Sequence, residues 1–421
     1  MEIGEINMKS LLKFEFYPKV DAKFMKKSKE IAISNKDKWD FPFFADTTSY
    51  LDMNKIEVIS NDYLNDQIKN IIVLGTGGSI QTLLALKHLS KKNLYPITSS
   101  RAVELKKCLK VTNPEDSVVI PISRGGETLD INSTIGTFVK EKYQFIGLSS
   151  KGTMYQILRE IGCPILEVPD LSGRFAGSIS NVGILPAFLL GINTNNFLEG
   201  LNSGYNKFLT FDENPALNFA IFLYGLYNKG FKVVFSMPYS ANLEGCVGLF
   251  TQEISESTGK NDKGLIGTFQ PAPLCQHSVL EYLLGGSKGI VIPLLWTVEK
   301  ESGDFPLESS INFVNGKTAQ SVVNYQADAT FQALLGQGVP SAKVSIDNSD
   351  EFSIGVLISF IQSAVYKLCL LLDVNWSNNP KVIIGKEIGN KALKEIISSE
   401  ERKKTRENLA DLRFQQNFFE H

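Results

Sequence analysis

Residues 70–79 read NIIVLGTGGS. A short apolar, β-branched run closed by a glycine-rich turn has the pattern of a buried strand that feeds a helix. Outward from it the alternation continues: a helical pattern through Leu83 to Leu89, SVVIPI at 117–122, a second helical pattern, QFIGLS at 144–149 and PILEV at 164–168. Strands alternating with helices predict βαβ units and a parallel sheet. A second set opens near Pro215, with an apolar helical stretch through Leu226, KVVFS at 232–236, a helix near 243–256 and GIVIPLL at 289–295. The expected class is α/β, with two lobes, each a mainly parallel sheet flanked by helices. The expected divisions are an N-terminal arm (1–60), a first lobe (61–200), a second lobe (201–378) and a C-terminal segment (379–421). Within that segment SEERKKTRENLADLR has the alternating charge of a solvated helix.

At 421 residues the chain exceeds what one hydrophobic core usually supports, which fits two lobes. Its 43% hydrophobic and 21% charged residues are those of a globular protein rather than a disordered one. A net charge of −2 supplies no global basic field, so nucleic acid is not an expected partner and any phosphate contact must be local. The five cysteines, at 108, 163, 246, 275 and 369, form no C-x-x-C pair and read as reduced thiols of a cytoplasmic protein. The N-terminus lacks the apolar core of an export signal. The apolar stretch from Val356 to Leu372 is interrupted by Ser359, Gln362, Ser363 and Lys367 and fits a buried helix better than a membrane span, so no membrane partner is expected.

Two loops carry the features of an anion site. Gly75, Gly77, Gly78 and Ser79 lie between a strand and a helix, where backbone N–H groups and a positive helix end meet; tight strand-to-helix packing calls for glycine equally. After SVVIPI comes SRGGETLD, where Ser123, Arg124 and Thr128 place two hydroxyls and a guanidinium at the carboxyl end of a strand, the place where open α/β sheets bind ligands. The two loops in this order resemble the SIS (sugar isomerase) domain over roughly residues 60–190. Members of that class hold a phosphosugar by hydroxyl-rich strand-to-helix turns.

Later elements supply groups for proton transfer. Gln252 and Glu256 of TQEISESTGK are four apart and share a helix face. Arg174 in DLSGRFAGS has small neighbours that allow close approach of a ligand. His277 follows a proline-rich loop and is the histidine best placed for chemistry, since His421 is terminal and His88 sits among leucines. Taken singly, each has an ordinary structural reading: Glu256 as a surface ion-pair partner, Arg174 as a surface cation, His277 as core or loop filler.

The succession GTGGS, SRGGET, SGRF, QEISESTGK, QHS and NPKVIIGK, over about residues 65–390, resembles the phosphoglucose isomerase family. That family shows a GIGGS-like loop, an S-K-S/T-G loop, GGRFS, Q-x-x-x-E-S-x-G-K, a GQHS-like element and a terminal QPGVELGK-like element. The resemblance implies two SIS-type lobes and interconversion of glucose 6-phosphate and fructose 6-phosphate through a cis-enediol, with no cofactor and no metal. It implies Glu256 as the base between C1 and C2, Arg174 as the cation beside the enediolate and Gln252 as a substrate-binding group that helps orient the sugar. His277 and Lys386 match residues that open the hexose ring, the histidine reaching in from a second subunit, so a homodimer is expected. Gly78, Ser79, Ser123, Arg124 and Thr128 match phosphate-loop positions, and Asn379 stands where the family has a glutamine.

Departures from the family pattern are Gly125 for a phosphate-binding Ser or Thr, Arg124 for lysine, Ala176 for serine, Asp130 for glutamate and Thr258 for Asn or Leu. Three other readings stay open: a phosphosugar-sensing SIS module without catalysis, an isomerase that also takes mannose 6-phosphate, and an enzyme of amino sugars. The first needs no base, the second shares the enediol, and the third usually brings an amide-handling domain, of which no trace is visible.

Overall fold

A computed structural model describes residues 4–8, 12–394 and 398–413; the remainder of the N-terminal arm and of the C-terminal segment lies outside these. The arm contributes strands β1 (Gly4–Met8) and β2 (Leu12–Tyr17). In β2 the apolar residues Leu12, Phe14 and Phe16 are buried and alternate with Lys13, Glu15 and Tyr17, the period of a strand with one covered face.

β3 (Asn70–Leu74), β4 (Asn93–Ile97), β5 (Ser117–Pro121) and β6 (Gln144–Phe145) form a parallel sheet in the order β4-β3-β5-β6. Every residue of β3 and of β5 is buried, because helices cover both faces; hence their unbroken apolar runs. QFIGLS is not one strand but two, split at Ile146: β7 (Gly147–Leu148) pairs parallel with β8 (Ile165–Leu166), and Leu148 bridges back to Ile122.

The later residues supply β9 (Val233–Pro238), β10 (Ile266–Phe269), β11 (Val291–Lys300) and β12 (Ser341–Asn348), all parallel. The six-stranded order is β1-β2-β12-β11-β9-β10, with β2 antiparallel to β12 and Phe14 opposite Val344. Residues 12–17 of the arm are therefore committed to this later sheet, where they cover the edge of β12.

Several helices and strand β12 pack about helix Glu351–Leu372, in which every residue from Ser353 onward is buried. It is long and apolar enough to cross a membrane, but its most apolar stretch is wholly enclosed by protein, as in a core helix. Helices Thr194–Phe208, Pro215–Asn228 and Glu244–Thr258 pack against it. Phe219 stacks on Phe360 at 5.6 Å between ring centres, and Phe14 lies 5.2 Å from Phe219. Residues up to Asn378 form one compact unit; those from Asn379 form another, made of helices Val382–Lys394 and Ser399–Arg413.

Lys367 sits within the core helix, and its Nζ donates to the carbonyls of Phe208 and, at 2.7 Å, Thr210, satisfying acceptors at the end of helix Thr194–Phe208. Burial pulls its ammonium down to about 7. Because this folded value lies below that of the unfolded chain, the cost of the buried charge is borne in full below pH 7. It is relieved as pH rises toward about 10, with a slope of up to about 1.4 kcal/mol per pH unit. Lys367→Met removes the slope. In urea unfolding at pH 6.5 and 9.5, the wild type is expected to gain on the variant by on the order of 2–3 kcal/mol over that interval. An equal pH response in both proteins refutes the assignment.

Candidate active site

The turn after β3 is a single 3-10 turn, Gly77–Ser79, followed by helix Gln81–Leu86. Gly78 is set by close approach: a Cβ there would lie 2.2 Å from the backbone nitrogen of Arg174 and 2.5 Å from the carbonyl carbon of Gly173. A Cβ on Gly77 would lie 3.2 Å from Gln252 Nε2. The glycine turn thus rests on the turn that carries Arg174 and against the helix that carries Gln252 and Glu256.

Arg174 lies on the short helix Gly173–Ala176 and is buried, 4% exposed, which removes the surface-cation reading. Its Nε donates to Ser257 Oγ at 3.0 Å, and Nη2 to the carbonyls of Trp376 at 2.6 Å and Asn378 at 3.1 Å. Nη1 faces Glu256 Oε2 at 3.4 Å. Burial lowers the guanidinium's affinity for its proton, and the Glu256 charge opposes that. The other Glu256 oxygen accepts from Gln252 Nε2 at 2.9 Å, the contact that an i, i+4 pair on one helix face permits. The Glu256 side chain keeps 28% of its surface exposed. A partly exposed carboxylate held between an amide and a buried cation is positioned without being sealed from a substrate.

In the second loop Ser123 is buried, and its hydroxyl donates to Thr128 Oγ1 at 3.3 Å; Thr128 begins helix Leu129–Lys140. Arg124 Nη1 donates to the carbonyl of Leu171, three residues before Arg174, so this loop too is tied to the arginine turn. Gly126 has φ +75°, a conformation for which glycine is suited, and a Cβ there would meet the Lys151 carbonyl at 2.0 Å. Ser79 closes the first turn.

The remaining candidates are His277, Asn379 and Lys386. His277 is exposed on the first turn of helix Gln276–Gly285, and among the described residues no hydrogen bond joins it to Arg174, Gln252 or Glu256. Asn379 and Lys386 belong to the second compact unit, where Lys386 is exposed on helix Val382–Lys394. His88 has the structural role expected of it: Nε2 lies 2.7 Å from the Ser349 carbonyl, and burial lowers its proton affinity. Among the described residues no group of three His, Cys, Asp or Glu side chains is disposed to hold a metal ion.

Sequence reasoning missed three groups around Arg174. Ser257 and Lys260 lie in the quoted ESTGK element and were within reach of it. Lys260 Nζ donates to the carbonyls of Ser257 at 2.7 Å and Asn375 at 2.5 Å, and burial brings it down to about 8. The third, Glu253, is wholly buried beneath the site, and no local pattern marks it.

No protein-family profile matches the chain. Among curated proteins it is 24% identical over 361 residues to a protein of Mycoplasma capricolum named glucose-6-phosphate isomerase, covering 79% of this chain and 84% of that one. It is 26% identical over 340 residues to a protein of the same name from Methanocaldococcus jannaschii, covering 76% and 83%. Among solved structures, a glucose-6-phosphate isomerase from Chlamydia trachomatis superposes with a TM-score of 0.77 at 16% identity, covering 95% of this chain and 92% of that one. That last likeness is one of fold. Over about four fifths of its sequence, and in its fold, the chain is a relative of the glucose-6-phosphate isomerases.

Proposed function

We propose that the protein is an aldose–ketose isomerase that interconverts glucose 6-phosphate and fructose 6-phosphate. The observation that carries this is the joined set Gln252–Glu256–Arg174 with the GTGGS turn packed upon it, in a chain whose relatives bear that name. In the proposed mechanism Glu256 takes the proton from C2 of glucose 6-phosphate and returns it to C1 through a cis-enediol. Gln252 fixes the carboxylate's orientation, and Arg174 balances the charge that builds on the enediolate. The hydroxyls of Ser79, Ser123 and Thr128, with Arg124 and the backbone at Gly78, hold the phosphate. The proposed mechanism invokes no cofactor: Glu256 supplies the base and Arg174 the charge that stabilises the enediolate.

His277 and Lys386 are assigned to ring opening, and Asn379 to the phosphate, by the resemblance in sequence. The exposure of His277 leaves it open to a second subunit, and by the resemblance it serves that subunit's site, in a cytoplasmic homodimer of two-lobed chains. Mixing tests this. Glu256→Gln and His277→Ala homodimers are each expected to be nearly inactive, while random re-association restores about a quarter of wild-type activity, because half the dimers are mixed and each holds one intact site. No restoration places His277 in its own chain's site.

The activity itself is tested by following conversion of fructose 6-phosphate to glucose 6-phosphate in a coupled assay, repeated with mannose 6-phosphate. Turnover supports the proposal, and turnover of mannose 6-phosphate widens it to both C2 epimers. A protein that binds the sugar phosphate without turnover is a sensor instead.

A further inference from the structure

Glu253 lies on the same helix as Glu256, three residues before it, and none of its surface is exposed. Its Oε1 accepts from Gln362 Nε2 at 2.8 Å, while Oε2 is buried with no hydrogen-bond partner among the described residues. Gln362, equally buried at the middle of helix Glu351–Leu372, also reaches the backbone carbonyl of Arg174 at 3.5 Å. The Gln362 carbonyl oxygen accepts in turn from Tyr205 Oη and, at 3.4 Å, from Ser178 Oγ. Ser178 is bonded to the carbonyl of Phe175 at 3.0 Å. One amide therefore ties the base-bearing helix to the backbone of the arginine turn.

We propose that Glu253 is a positioning residue which, through Gln362, fixes the Arg174 turn so that the guanidinium faces Glu256. The inference rests on the isomerase reading for its kinetic consequence. The geometry argues for a role beyond filling space. A leucine packs such a position without an orphaned oxygen, whereas a buried polar group is costly unless it is bonded. The titratable groups near the carboxyl are Arg174, Glu256, Tyr205 and Cys369, beside Gln362. Burial holds the Glu253 carboxyl well above the usual carboxylate range, against the Gln362 bond and the Arg174 charge. Glu253 accepts from Gln362 through Oε1, while the guanidinium of Arg174 faces Glu256, three residues along the same helix.

The test compares Glu253→Leu, which keeps volume and deletes the acceptor, with Glu253→Gln, which has the shape of the uncharged acid. In Glu253→Leu, kcat for fructose 6-phosphate is expected to fall on the order of tenfold to a hundredfold, the effect of a misplaced catalytic group, with KM little changed. Glu253→Gln is expected to recover most of that loss. A second readout is independent of turnover. The Arg174 Nε–H, bonded to Ser257 Oγ at 3.0 Å, is expected to give a protected guanidinium NMR signal in the wild type, one that shifts or broadens in Glu253→Leu and persists in Glu253→Gln. Gln362→Leu deletes the same link and carries the test if Glu253→Leu does not fold. A folded Glu253→Leu or Gln362→Leu protein with an unmoved Arg174 signal overturns the proposal, whatever its rate. So does a Glu253→Gln protein as damaged as Glu253→Leu. A wild type that isomerises nothing defeats the functional reading, and the NMR signal then decides the positioning role alone.

Discussion

Glu256→Gln is expected to lower turnover of fructose 6-phosphate on the order of 10²- to 10⁴-fold, the contribution of a general base, while phosphosugar affinity stays within about tenfold. The two effects separate because the substitution changes one property of the site. Glutamine keeps the length and planar end of glutamate, so its carbonyl oxygen can still accept from Gln252 or from Arg174, which lie 2.9 and 3.4 Å from the native carboxylate. What is lost is basicity. The phosphate-holding hydroxyls of the proposal sit on the loops after β3 and β5, outside the helix that carries Glu256, so binding is spared. Stability is expected to fall only modestly, by about 1–2 kcal/mol. Arg174 loses one charged neighbour but keeps Ser257, Trp376 and Asn378 as acceptors. Single-turnover kinetics beside equilibrium binding of fructose 6-phosphate checks the separation. Affinity that collapses with rate assigns Glu256 to binding, and a rate left intact removes it from the chemistry.

What could be read from the chain alone depended on how local its cause is. β3 and β5 were legible because a strand buried on both faces needs an unbroken apolar run, and NIIVL and SVVIP are such runs. QFIGLS looked like one more, but its residues divide between two partners, β5 and β8, and a partner change leaves no mark on hydrophobicity. β12, SAKVSIDN, passed unassigned because its polar residues are sheltered by neighbours from distant segments, Thr297 hydrogen-bonding Ser345 at 2.7 Å. At the site, the Gln252–Glu256 pair follows from helix geometry and needed no tertiary knowledge. Glu253 is the opposite case. Its partner Gln362 lies 109 residues away, on a helix whose own pattern reads as apolar, so no window of sequence contains both halves of the reason it is there.

The same distinction governs the second large effect, Gly78→Ala. As part of GTGGS the residue reads as one of several glycines that let a backbone meet an anion. In the fold it is singled out by the segment stacked against it, since an added Cβ would lie 2.2 and 2.5 Å from the nitrogen and Cα of Arg174. Those atoms are backbone and cannot rotate away; nor can Gly177, whose own Cβ position lies 2.9 Å from the Gly78 carbonyl. Relief therefore requires the glycine turn and the arginine turn to part by about an ångström, the scale of misplacement that costs on the order of 10²-fold in rate. Overpacking adds a stability loss of about 1–3 kcal/mol. The exposed Gly136, inside helix Leu129–Lys140 with nothing within 4 Å of an added Cβ, provides the comparison. Gly136→Ala is expected to keep full activity and to gain up to about 1 kcal/mol from helix propensity. The measurement is kcat and urea stability of both variants side by side. If Gly78→Ala matches Gly136→Ala in rate, the two turns are not held in contact in solution, and the close approach has no part in placing Arg174. If its rate falls while its stability stays near that of the wild type, the contact serves the site rather than the fold.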